Sequence, residues 1–303
     1  MGYGDSMSYT KNKAFFPVFS VFMTLYLGSF GVALLYKPSQ LFSGDAPTAY
    51  WTTSPMAEDT EWFARAAGAA LLVLGIGARF NNMYTPIFLE QCWLANAGAL
   101  GLSAQAAFFL PGETTFLFLI QFGVSLLIFL INTYLCFDDI LTMPSDMMRA
   151  AKFFTEGRLY MNARGQMGLD GYFCVFMNLY LISFGVALVS APSSVFATGT
   201  SPVPYWSTDA LSAPAVWFAR FFGIGMLVMA LGGSLLRVDR DVFLRQALLF
   251  NLIMGGLMYY GAYNLTSTVT FVWLCNLGVQ GVVSLINLVA VCLDDVGVGI
   301  GML

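Results

Sequence analysis

The sequence predicts an all-α integral membrane protein: eight transmembrane helices, arranged as two parallel four-helix repeats related by a pseudo-twofold axis along the membrane normal. Three observations carry this expectation. The 303 residues are 58% hydrophobic and only 10% charged, with a mean hydropathy of +0.73, whereas a soluble domain carries about 25% charged residues. Eight apolar runs approach the roughly 20 residues that a helix needs to cross a bilayer. The second half of the chain also repeats the first at nearly constant spacing, the mark of a tandem duplication.

The runs lie near 15–36, 61–80, 86–110 and 114–137, then 172–190, 214–236, 242–262 and 268–293. Helices are expected throughout, because open strands leave backbone groups unsatisfied in lipid and no run alternates as a barrel strand does. Residues 1–13 are polar and the first run lacks a small-residue cleavage site, so that run is expected to stay as an anchor. Ser29-Phe30-Gly31-Val32-Ala33-Leu34 returns as Ser183-Phe184-Gly185-Val186-Ala187-Leu188. Pro38-Ser39 returns as Pro192-Ser193, Tyr50-Trp51 as Tyr205-Trp206, and Trp62-Phe63-Ala64-Arg65 as Trp217-Phe218-Ala219-Arg220. Gln91, Asn96 and Asn132 match Gln246, Asn251 and Asn287. Both copies close on Cys-x-Asp-Asp, at Cys136-Phe137-Asp138-Asp139 and Cys292-Leu293-Asp294-Asp295.

Each copy holds an even number of spans, so both halves enter the membrane from the same side. The expected units are 1–140, a cytoplasmic linker over 141–170, and 171–303. Within the linker, Pro144-Ser145 reads as a helix start. Met147, Met148, Ala151, Phe154 and Tyr160 supply an apolar side beside Arg149, Lys152 and Arg158, the pattern of a helix lying on the membrane surface. Lys and Arg gather on the side of the termini (Lys11, Lys13, Arg79, Arg149, Lys152, Arg158, Arg164, Arg237, Arg240 and Arg245). That places both termini on the cytoplasmic, stromal or matrix side of a multi-pass protein.

Ser29 with Ala33, Ala64 with Gly68, and their counterparts Ser183 with Ala187 and Ala219 with Gly223 form small-xxx-small pairs. Such pairs let helices approach closely in lipid, so the first span is expected to pack on the second and the fifth on the sixth. Arg65 and Arg220 follow Trp62 and Trp217 at outward helix starts. An Arg there can clamp a phosphate or carboxylate, or snorkel to the headgroups as an anchor beside an interfacial Trp. With Tyr50, Trp51, Tyr205 and Trp206 they form the candidate ligand- or lipid-binding set. Gln91, Asn96, Asn132, Gln246, Asn251 and Asn287 are candidates for interhelical polar contacts, with Gln91 and Asn132 at similar depth. The Asp pairs are expected to end the fourth and eighth spans, where they oppose the helix dipole unless arginines such as Arg79 and Arg237 face them.

Composition narrows the chemistry. Histidine is absent and the net charge is −4, so His-based acid–base work, His-ligated metal and a basic nucleic-acid surface are not available. The five cysteines, Cys92, Cys136, Cys174, Cys275 and Cys292, lie in apolar runs without a C-x-x-C pair and read as buried thiols. No nucleotide or hydrolase motif survives inspection, and no catalytic residue, metal or cofactor is assigned.

The four-span unit, with Pro after the first span and Arg-x-x-Gly opening the second (Arg65-Ala66-Ala67-Gly68; Arg220-Phe221-Phe222-Gly223), resembles the small DoxX-like four-helix membrane proteins, here doubled. The resemblance covers the helix layout and one short motif per copy, and implies a four-helix bundle. The expected function is that of a non-catalytic scaffold or accessory subunit in a larger membrane assembly. Its partners would be membrane lipids, apolar pigments held between helices, and protein subunits or further copies of itself, with no nucleic acid. The rival expectation is a small-solute transporter or channel with its path along the pseudo-axis.

Overall fold

A computed structural model describes residues 15–80, 86–110, 112–155, 168–234, 240–265 and 269–295. Among these residues each of the eight apolar runs forms one long helix: α1 (Phe15–Tyr36), α3 (Glu58–Phe80), α4 (Pro86–Phe109), α5 (Leu117–Leu135), α7 (Leu169–Ser190), α9 (Ala213–Ser234), α10 (Arg240–Asn264) and α11 (Phe271–Asp295). Between them lie two single turns, α2 (Ser39–Phe42) and α8 (Ser193–Phe196), and the linker helix α6 (Phe137–Thr155). Proline explains the breaks after α1 and α7. Pro38 and Pro192 cannot continue a helix and instead start the short turns α2 and α8. Six helices, α1, α5, α7, α9, α10 and α11, are long and apolar enough to cross a membrane. The chain is therefore an all-helical, multi-pass membrane protein. α3 opens on Glu58, Asp59, Glu61 and Arg65, and α4 carries Glu90, Gln91, Asn96 and Gln105, so these two long helices hold polar residues at their starts or along their length.

The centre of the bundle is the pair α3 and α9, which pack on each other. α1 covers α3 and α7 covers α9. α4 then crosses to α9 and α10 crosses to α3, while α5 and α11 lie outside on α4 and α10. Burial follows this order. The apolar window of α9 is 67% buried and that of α11 only 17%.

Small residues set the spacing. A Cβ added to Gly31 would lie 2.7 Å from the Leu72 nitrogen and 2.9 Å from the Gly68 oxygen. At the matched position, a Cβ on Gly185 would lie 2.8 Å from Leu227 Cγ and 3.0 Å from the Gly223 oxygen. The expected pairing of the first span with the second, and of the fifth with the sixth, is present, but its α1 and α7 faces differ from the expectation. Ser29 and Ser183 are exposed and donate to Tyr26 O and Tyr180 O of their own helices, each at 3.1 Å. Two residues along a helix turn it by about 200°, so the face that holds Gly31 turns Ser29 and Ala33 away. Ala64 and Gly68, and Ala219 and Gly223, are buried as expected.

The linker helix starts at Phe137, not at Pro144, which lies inside it. This corrects the reading of the first Asp pair. α5 ends at Leu135, and Asp138 and Asp139 fall in the first turn of α6. A carboxylate there complements the helix dipole instead of opposing it. Met148 and Arg149 are exposed on α6 and Met143 is buried. Arg158, Tyr160 and Arg237 lie outside the described residues, as do the side chains of Phe154, Arg79, Asp294 and Asp295. Of the cysteines, Cys92, Cys136 and Cys174 are buried as expected, whereas Cys275 and Cys292 of α11 are exposed.

Because Gly31 and Gly185 sit at backbone contacts, Gly31→Ala and Gly185→Ala should each destabilise the protein by about 1–3 kcal/mol. Gly101→Ala, where an added Cβ meets nothing within 4 Å, should be neutral or slightly stabilising. Thermal unfolding in one detergent reads all three.

Candidate functional site

The site is built where the loops after α1 and α7 fold over one end of the bundle. Trp51 forms an isolated antiparallel bridge with Thr114, and Trp206 with Val269. The Thr115 nitrogen donates to Tyr50 O at 2.9 Å, and the Thr270 nitrogen to Tyr205 O at 3.1 Å. Their hydroxyls donate to Ala49 O and Pro204 O, each at 2.6 Å. Each loop is thus stapled to the connection that precedes α5 or α11 and forms a cap. Trp51 and Trp206 are 1% and 0% exposed, and they seal these caps from inside.

The two halves are also tied across the centre. The Trp62 indole donates to Leu257 O of α10 at 3.2 Å, and the Trp217 indole donates to Leu102 O of α4 at 2.9 Å. Both rings lie deep in an aromatic cluster, with Trp62–Trp206 centroids at 5.9 Å and Trp51–Trp217 at 6.1 Å. They are interior residues, not members of an interfacial belt.

Beneath each cap lies a lateral cavity, between α1 and α5 in the first half and between α7 and α11 in the second. The first, with about 660 Å³ of empty space including its open mouth, is bounded by Tyr26, Phe30, Tyr50, Asn96, Gln121 and Trp217, among others. The second, with about 420 Å³ including its mouth, is bounded by Tyr180, Phe184, Tyr205, Gln280, Trp62 and others. Each is completed by the tryptophan of the opposite half. The size difference has a cause in the sequence. Where the first cavity has Ala99, Ser103 and Phe118, the second has the bulkier Met254, Met258 and Trp273, while Leu71 is matched by Met226 of similar volume. Burial pushes the Tyr50 and Tyr205 phenols above their usual range, with Tyr26 adding to the shift at Tyr50. Both remain neutral hydrogen-bonding groups.

Of the candidate binding set, Tyr50, Tyr205, Trp62 and Trp217 therefore line cavities, whereas Trp51 and Trp206 stand behind them and Arg65 and Arg220 stand outside. The two arginines have unlike surroundings. Arg65 Nη2 meets Glu61 Oε1 at 2.7 Å, and its guanidinium lies 4.6 Å from the Tyr260 ring centroid. The matched positions for Arg220 hold Val216 and Gln105, and Arg220 Nε is buried without a hydrogen-bond partner.

The six candidate amides are all buried. Asn251 accepts from Gln280 Nε2 at 3.0 Å. Asn287, with its amide turned to satisfy both ends, donates to Leu244 O at 3.2 Å and accepts from Asn251 Nδ2 at 3.2 Å. These bonds tie α11 to α10. In the first half Ser125 replaces Gln280, and Asn96 Nδ2 has no partner. No hydrogen bond joins Gln91 to Asn132. Neither amide atom of Gln91 or Gln246 finds one, and Asn132 accepts only from Cys136 Sγ at 3.6 Å. The caps and the sites they cover were the part that the sequence reading missed. Their signal was the duplicated Tyr-Trp together with Thr115 and Thr270 before the last span of each half.

No family model, curated protein or solved structure matches the chain.

The unlike arginines give a direct test. Val216→Glu places a carboxylate one turn before Arg220, as Glu61 stands before Arg65, and should stabilise the protein by about 0.5–1 kcal/mol. Glu61→Gln should lose a similar amount. Thermal unfolding at low and high salt should show both effects shrinking as salt rises.

Proposed function

We propose that the chain is an eight-span membrane protein of two parallel four-helix halves, with both termini on the cytoplasmic side. It serves as a non-catalytic scaffold or accessory subunit that holds apolar membrane molecules in its lateral cavities. Duplication is supported by paired interactions at matched positions: the reciprocal tryptophan bonds, the two cap bridges, and the Gly31 and Gly185 contacts. A four-helix unit of the DoxX-like kind fits the same layout. The cytoplasmic orientation rests on the distribution of Lys and Arg.

The observation that carries the binding reading is where space lies. The cavities open to the flanks, while the centre is packed. A Cβ on Gly225 would lie 2.5 Å from Ala70 Cβ, and Ala66, Ala67, Ala69 and Ala70 are all nearly inaccessible. A solute path along the axis would need this seam to part, so the packing favours binding over transport. The outer helices offer the assembly surface. Leu127 and Leu130 of α5 are 60% and 55% exposed, and Val282 and Leu285 of α11 are 57% and 64% exposed. Lipid or a neighbouring subunit would cover them.

Purification in a mild detergent, followed by solvent extraction and mass spectrometry, tests the reading. Stoichiometric retention of lipid or another apolar molecule, with co-purifying subunits or self-association, is expected. A monodisperse single chain with nothing retained overturns it. Accessibility reporters placed in the 43–57 loop and in the 156–167 linker should label from opposite sides of the membrane.

A further inference from the structure

The two cavities differ in chemistry as well as in size. In the second, the polar groups serve one another: Gln280 Nε2 donates to Asn251 Oδ1 at 3.0 Å and to Asn251 O at 3.1 Å, and Asn276 Nδ2 donates to Met258 Sδ at 3.7 Å. Methionines fill the remaining space. In the first, Gln121 Nε2 donates to Tyr26 Oη at 3.2 Å and to Ser125 Oγ at 3.1 Å, and Tyr50 Oη donates to Gln121 Oε1 at 3.4 Å. This network uses Tyr26 as an acceptor, and its own hydrogen finds no acceptor among the described residues. Asn96, on the opposite wall, is 4% exposed and its Nδ2 has no partner. An orphaned amide at such depth costs about 1–3 kcal/mol, and Ala99 and Ser103, one and two turns further along α4, keep the space beside it clear.

Building on the reading of the cavities as apolar binding sites, we propose that the first cavity alone is a selective site for a neutral aromatic carbonyl compound: its carbonyl oxygen accepts from Asn96 and Tyr26, and its ring lies among Phe30, Phe118, Trp217 and Phe221. The lining carries no charged side chain, which suits an uncharged ligand. Aromatic walls favour a ring over a saturated chain, because offset and edge-to-face contacts add to burial. A hydrocarbon of the same shape would leave the Asn96 donor unpaired, and a site built around a buried donor discriminates against an analogue that cannot accept from it. The second cavity, with its amides paired internally and its space taken by Met226, Met254 and Met258, is expected to hold such a compound weakly.

Benzophenone is both ligand mimic and reporter. It is a diaryl ketone, and under ultraviolet light its excited carbonyl abstracts a hydrogen from a nearby C–H, after which the two radicals combine in a covalent adduct. The full-length protein in lipid nanodiscs is irradiated with benzophenone, and the adducts are mapped by peptide mass spectrometry. Labelling is expected on the α1, α4 and α5 residues around the first cavity and to be weak at the three methionines of the second. Asn96→Leu should reduce first-cavity labelling about three- to tenfold, the loss of one hydrogen bond to a buried donor, without lowering thermal stability. Tyr26→Phe should act in the same direction. Ala99→Met with Ser103→Met, which installs the side chains of the second half, should abolish labelling in a folded protein. Fluorenone should compete for the site better than fluorene, which has the same rings without the carbonyl. Equal competition by these two, or labelling unaffected by both Asn96→Leu and Tyr26→Phe, would overturn carbonyl recognition while leaving apolar binding intact. Labelling in neither cavity would overturn the binding reading as well.

Discussion

Everything else in this bundle depends on how closely α3 and α9 approach. In lipid there is no hydrophobic gradient to press helices together, so association rests on close packing and on hydrogen bonds that water cannot contest. Ala66, Ala67, Ala69 and Ala70 on α3, and Gly225 on α9, remove the side-chain bulk that would hold the axes apart. Once those axes are close, Trp62 and Trp217 reach past their own half and bond to backbone carbonyls on α10 and α4. The two halves therefore interlock. Neither cavity is complete without a ring from the other half, so occupancy of a cavity and the joining of the halves share residues.

The caps translate that central geometry into a site. Tyr50 and Tyr205 are held by backbone bonds to the connection before α5 or α11, and so project their rings into the cavity from a fixed height. Trp51 and Trp206 beside them seal the caps, and neither indole nitrogen has a hydrogen-bond partner. Leaving such a group unpaired is unfavourable, and its recurrence at both positions ties it to a geometry the two halves share. The large apolar area buried by each indole offsets the loss.

The sequence was most legible where a physical rule has few solutions. Hydropathy located the eight helices, because an apolar run of about 20 residues has few other uses. It was less legible in α3 and α4. Glu61 and Arg65 satisfy each other, and Gln91 and Asn96 are buried against neighbouring helices, so these helices tolerate polarity that lowers their hydropathy. The Asp138-Asp139 pair misled because Cys-x-Asp-Asp looks like the end of a span, whereas a break at Cys136 makes it the start of α6. Ser29 and Ala33 misled for a different reason. The small-xxx-small spacing states that two residues share a face but not which face meets the neighbour, and Gly31 against Gly68, with Gly75 against the Gly28 backbone, offered a closer approach of α1 and α3. The cavities could not be read at all, since they depend on Trp62 and Trp217 crossing between halves that are distant in sequence.

Comparison of the halves separates shared architecture from local chemistry. Orphaned polar atoms recur at matched positions in Gln91 and Gln246 and in Trp51 and Trp206, so the cause lies in geometry common to both halves. Asn96 and Arg220 are different. Each lacks a partner that its counterpart possesses: Asn251 Nδ2 donates to the amide oxygen of Asn287 and to Met177 Sδ, and Glu61 with Tyr260 serves Arg65. Asn96 lines the first cavity, and Arg220 lies on α9 between Trp217 and Phe221, which also line it. The bundle completes the asparagine in the second half and the arginine in the first, so each half leaves one of these residue types unpaired. The second cavity is packed and its amides are paired with one another or with methionine, and the first keeps the space and the unpaired Asn96 donor that a ligand can complete.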